Sequence, residues 1–160
     1  MEIKSCFVIM PFGEKTDAAG AAFDFDEIFD YLIAPAAQAL QLNVIRSDRV
    51  TKAGWVHAEM LEHLRTADAA IVDITTLNPN VFYELGVRHV LRRGVTVLIR
   101  KKGTPVPFNI QGFRVLDYGL GLREAADAKK LLTEYLDNGL KTASNDSLVY
   151  SVFPNLKVST

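Results

Sequence analysis

The chain has one cysteine, Cys6, so it can form no internal disulfide. Cys6 lies in the apolar run IKSCFVIM with no histidine near it, which makes it a small core residue rather than a nucleophile. An excess of charge is missing too: 18 Lys and Arg face 19 Asp and Glu, for a formal net charge of −1. That balance argues against a nucleic-acid clamp and against a binder of anionic membranes, since both need a basic excess. The local clusters Arg92-Arg93 and Arg100-Lys101-Lys102 fall at a helix end and a strand end, where solvated basic residues are ordinary. No apolar run approaches the length that spans a bilayer, and no secretory leader is expected before the first strand. A reducing, cytoplasmic setting is therefore the expectation. Neither GxGxxG nor GxxxxGK[ST] occurs. His57, His63 and His89 share no face at metal-ligand spacing, and no nucleophile elbow surrounds any serine, so neither a metal nor a redox cofactor is expected.

What the chain does have is about half hydrophobic residues (49%) over 160 positions, enough for one domain with a proper core. Short apolar runs alternate with helical spacing. Strands are expected at Ile3–Met10, Asn43–Asp48, AAIVDIT, VTVLIR and RVLDY. Helices are expected at Phe25–Leu42, with a kink or split at Pro35, then at Trp55–Thr66, Val81–Arg93 and Leu122–Leu136. Between the first strand and the first helix, PFGEKTDAAGAAFD reads as a loop. This alternation predicts a single doubly wound, flavodoxin- or Rossmann-like α/β domain of about five parallel strands in the order 2-1-3-4-5, with helices on both faces. The domain is placed at residues 1–140. Residues 141–160 read as an apolar C-terminal arm that packs on the domain, on a second copy or on a neighbouring domain.

In such a sheet ligands bind beyond the carboxyl ends of the strands. The segment IVDITTLNPNVFYELG sets two carboxylates there. Glu84 falls in the first turns of a helix and, on a wheel, within roughly 20° of Leu91 and 60° of Val87, so it faces inward. A fixed, partly desolvated carboxylate suits attack on a sugar carbon or stabilisation of positive charge there; an ordinary pair with Arg88 one turn on is the alternative. Asp73 ends the preceding strand, eleven positions before Glu84, as a turn acceptor or a general acid/base at the same rim. Asn78-Pro79-Asn80 is a turn with Asn80 as the expected helix cap. The loop after strand one offers Met10, Pro11, Phe12 and Gly13 as pocket wall, with Lys15 and Thr16 as phosphate contacts. Asp48 follows strand two. Tyr83 stands beside Glu84.

The blocks CFVIMPFG, FDEIFDYLIAPA, ADAAIVDITTLNPNVFYELGVRHVL and PFNIQGFRVLDY resemble the nucleoside 2-deoxyribosyltransferase-like and TIR-like domains of bacteria, over about Ile3 to Tyr118. The resemblance implies an N-glycosidic bond hydrolase or transferase acting on a nucleoside, a nucleotide or NAD as substrate. It assigns the nucleophile to Glu84 and acid/base or sugar-hydroxyl contact to Asp73. Around the substrate, the strand-end reading places Asn78, Asn80, Tyr83, Asp48 and the Met10–Gly13 loop. The tail DSLVYSVFPNL also resembles the end of TIR-like modules in multidomain signalling or defence proteins; a homo-oligomer is expected, and a non-catalytic scaffold or nucleotide-sensing role is the rival reading.

Overall fold

The computed structural model describes residues 2–47 and 56–159. Its centre is β1, Ser5–Ile9, whose side chains are apolar on both faces: Cys6 and Val8 enter one core, Phe7 and Ile9 the other. A strand covered on both sides by helices has no polar face to present. β1 pairs with β4 (Asn43–Arg46) and with β5 (Ala69–Asp73), and the sheet continues through β6 (Thr96–Lys101) to β7 (Val115–Tyr118). All pairings are parallel and the order is β4-β1-β5-β6-β7, the doubly wound order that the alternating pattern implies. The chain leaves β1 toward β4 and then returns to β5 on the other side. The crevice for a ligand lies at that reversal.

Two helical layers sandwich the sheet. On one side lie α1 (Phe25–Ile28), a π-helical turn (Phe29–Ile33), α2 (Ala34–Gln38) and α5 (Leu122–Thr142). The other side is covered by α3 (Val56–Thr66) and α4 (Pro79–Leu91). Pro35 neither ends nor breaks the first helical stretch. It has no N–H to give, and the preceding turn widens so that Ala34 N–H reaches Phe29 O, five residues back.

Three expectations need correction. Within PFGEKTDAAGAAFD the structure forms an antiparallel hairpin, β2 (Glu14–Thr16) and β3 (Ala22–Asp24). Its tip is closed by Asp17 Oδ1, which accepts from Ala19 N (3.0 Å) and Ala21 N (2.9 Å), so a side chain sets the turn that the polar composition concealed. α5 runs past residue 140 to Thr142 and stops at Ala143 in the left-handed region (φ 50°). The basic clusters are not simply solvated: Arg100 bonds Asp117 at 2.6 Å, and Lys101 bonds Asp17 at 2.5 Å.

Beyond α5 the arm folds back on its own domain. Asp146 N–H donates to Arg93 O (2.9 Å), and Ser147 Oγ donates to His89 O (2.6 Å). The short α6 (Leu148–Val152) buries Tyr150 beneath the Arg93 guanidinium, which lies 5.1 Å from the ring centre and also donates to Pro154 O. Among the described residues, no helix is long and apolar enough to cross a membrane.

Candidate active site

β5 delivers Asp73 to the carboxyl edge of the sheet, but into the core rather than the crevice. Its side chain is fully buried and accepts three hydrogen bonds: from Thr75 N (2.9 Å), Thr75 Oγ1 (2.6 Å) and Tyr118 OH (2.7 Å). Thr75 Oγ1 also accepts from Lys101 N (2.8 Å), so this cluster ties the ends of β5, β6 and β7 together. Burial pushes the Asp73 carboxyl up to about 6, against the downward pull of those bonds. The expected pair of carboxylates at one rim is therefore not assembled: Asp73 is spent on holding the strand ends.

The turn that follows is strained. Thr75–Leu77 forms a 3-10 turn in which Thr76 (φ 67°) and Leu77 (φ 53°) both occupy the left-handed region that non-glycine residues avoid. The Asp73–Thr75 bonds fix one end of it. Asn78 fixes the other, its Oδ1 accepting from Asn80 N at 2.9 Å. The helix cap is thus Asn78, not Asn80, because Pro79 takes the first helical position, where its missing N–H costs nothing.

From that start α4 presents Glu84 to a cleft of about 840 Å³. Met10, Pro11 and Phe12 form one wall, and Asn78, Asn80 and Tyr83 stand beside Glu84. Seven of the ten residues expected at the site therefore meet in one cavity. Lys15, on the hairpin, faces the same space. Gly13 does not line it; its N–H donates to Asp26 Oδ1 (3.3 Å) and so holds the loop. Asp48 lies outside the described residues.

Several cleft residues escaped the sequence reading. Ser47, His57, Met60, Leu61 and Val81 complete the described lining. Arg46 shapes it from below: 1% exposed, it donates to Pro11 O (3.2 Å), pairs with Asp26 (2.8 Å) and sits 5.8 Å from the Phe12 ring centre. The one available signal was an arginine at the end of an otherwise apolar strand, NVIR.

Glu84 is half-buried. Its Oε2 is sealed from solvent and has no hydrogen-bond partner among the described residues. Burial alone pushes the carboxyl up to about 7. The alternative pairing with Arg88 does not form. Arg88 is fully buried and donates to Leu64 O (2.8 Å), Ala67 O (2.8 Å) and Val95 O (3.1 Å), with a longer contact to Thr96 Oγ1 (3.4 Å). Cys6 is buried, its thiol pushed up to about 12, and it is inert.

Fold and cleft together define a doubly wound α/β domain in which, among the described residues, the Glu84 carboxylate faces a ligand-sized cavity at the topological switch point. No protein-family model matches the chain, and no curated protein does. Among solved structures, that of the E. coli constitutive lysine decarboxylase is similar with a TM-score of 0.48 and 14% identity, over 89% of this chain. The chain spans 18% of that protein's length.

Proposed function

We propose that this domain breaks or transfers the N-glycosidic bond of a nucleoside, a nucleotide or NAD, with Glu84 meeting the anomeric carbon. The observation that carries the reading is the Glu84 carboxylate, desolvated and with no partner for its buried Oε2 among the described residues, in a cleft large enough for a nucleotide. Such a group is held in a costly state in the free protein. It gains most when positive charge develops in front of it, which is transition-state rather than ground-state stabilisation. The C1′–N bond breaks and its electron pair leaves with the base; a nucleoside base takes up a proton as it leaves, whereas the cationic nicotinamide of NAD leaves neutral without one. Glu84 either bonds C1′ or stabilises the oxocarbenium ion, and water or an acceptor hydroxyl then completes the displacement. Lys15, His57 and Tyr83 are the other ionisable side chains on the described cleft wall and the candidates for supplying the proton. Asp73 is assigned to holding the Thr75 turn. Met10, Pro11 and Phe12 offer the apolar surface for a base.

The test is product analysis. The purified protein and Glu84→Gln are incubated with NAD and a panel of ribo- and deoxyribonucleosides and their monophosphates, and released base or nicotinamide is measured. Release by the wild type, slowed about 10²-fold or more in the variant, is the expected result. Full turnover by Glu84→Gln overturns the mechanism. A scaffold module that assembles with itself is the second reading. What favours it is the exposed apolar face of α4 formed by Phe82, Tyr83, Gly86, Val87, Val90 and Leu91. Silence across the panel at high protein concentration selects it.

A further inference from the structure

A second cavity, of about 560 Å³, opens at the opposite edge of the sheet. It lies where β6 has begun and β7 has not, between the last turns of α5, the loop before β7 and the C-terminal arm. Its chemistry is unlike that of the Glu84 cleft. His89 is 93% buried (7% exposed) and forms part of the wall. Its ring packs on Phe113 with centres 4.9 Å apart, and neither ring nitrogen makes a hydrogen bond among the described residues. Burial pulls its pKa down, and nearby Asp146 only partly opposes this, so the imidazole is neutral near pH 7, with one donor and one acceptor free. The side-chain amides of Asn109 and Asn138 line the same space and are equally uncommitted among the described residues. Most other polar groups are already used: Ser147 Oγ on His89 O, Ser144 Oγ on Asp146, and Asp146 Oδ2 on Thr96 N at 3.1 Å.

We propose that this cavity is a second binding site, for an uncharged planar heterocycle of the nucleobase type. His89, Asn109 and Asn138 are neutral and each offers both a donor and an acceptor, which suits a ring edge that does the same, and the one cation of the described lining, Arg114, lies over the Tyr135 ring at 5.7 Å. Phe113 and Tyr135 give aromatic faces, and Val97 gives an apolar floor. The half-buried Asp146 carboxylate disfavours anions, while its existing hydrogen bonds leave little for a cation. Glu84 takes no part, so this site stands or falls apart from the glycosidic chemistry.

The experiment follows the three histidine rings by ¹H–¹⁵N spectroscopy, assigned through His89→Phe, while adenine, cytosine and nicotinamide are titrated as probes. At least one probe is expected to shift the His89 ring signals saturably, with a midpoint below about 1 mM. Asn138→Leu, at an exposed helix position, should weaken that binding at least about tenfold with an unchanged melting temperature. Glu84→Gln should bind like the wild type. A static His89 signal with all three probes, equal binding by Asn138→Leu, or a response confined to His57 overturns the proposal.

Discussion

Glu84 and Arg88 stand one turn apart on α4 and ignore each other. Arg88 turns into the core, where backbone carbonyls from the α3 end and the β6 start receive its guanidinium, and Glu84 turns to the cleft. The obvious helix-surface pair is thereby dissolved into a structural cation and a carboxylate with no ion-pair partner among the described residues.

Arg88→Met should consequently lower stability strongly and leave the cleft chemistry alone. It strands the Leu64 and Ala67 carbonyls, each costing about 1 kcal/mol or more, for a loss of about 2 kcal/mol or more, while Val95 O keeps the Ala70 N–H at 2.8 Å. Urea denaturation measures this. Arg88→Lys should recover only part of the loss, because one ammonium cannot fork to three separate acceptors.

Replacing Glu84 should make the protein more stable above neutral pH. Its carboxyl is raised from the ordinary 4.5 to about 7 by folding. The unfolded chain therefore ionises first as pH rises, and the stability present at pH 4.5 is lost progressively up to about pH 7. Glu84→Gln escapes this loss, so it should gain on the wild type between pH 5 and pH 7.5, by an amount on the order of 2 kcal/mol. Parallel denaturation series at several pH values would reveal the divergence. Curves that stay parallel would mean that Glu84 is better solvated than its sealed oxygen indicates.

For turnover the same titration has the opposite sense. If the anion does the work, kcat/KM should rise tenfold per pH unit below about pH 7 and level off above it. A profile that falls above pH 7 would make Glu84 a proton donor instead of a nucleophile or charge stabiliser.

Thr75→Val should cost more stability than Tyr118→Phe. The tyrosine hydroxyl supplies one bond to Asp73 Oδ2, whereas Thr75 Oγ1 bonds Asp73 and Lys101 N and also contacts Tyr118 OH. About 1–3 kcal/mol is expected for Tyr118→Phe and more for Thr75→Val, read from thermal melts. The threonine change should also reduce activity, because the strained Thr76–Leu77 turn that positions α4 loses its anchor.

The sheet order and the helix placement were legible because buried parallel strands announce themselves as short apolar runs between helical periods. Glu84 was legible for the same reason: wheel geometry turned it inward, and the cleft is where it arrives. Asp73 misled because the residue that ends a strand can point either to the rim or back to its neighbours, and only Tyr118, 45 positions away, decides which. The hairpin was hidden because Glu14–Thr16 is exposed and carries no apolar period. Arg46 was missed because its acceptor is a backbone carbonyl, Pro11 O, which has no sequence code.

The arm's Asp146 also occupies a place that a strand would otherwise fill. β7 begins opposite Leu98, so the Thr96 N–H has no neighbouring strand on that side, and the Asp146 carboxylate takes the bond. An unpaired strand margin is a template on which another chain can add itself. The C-terminal segment thus acts as a guard for the sheet, with a fixed negative charge where an intruding backbone would have to dock. Shortening the chain after Ala143 would remove that guard and make self-association through β6 the first fault to look for.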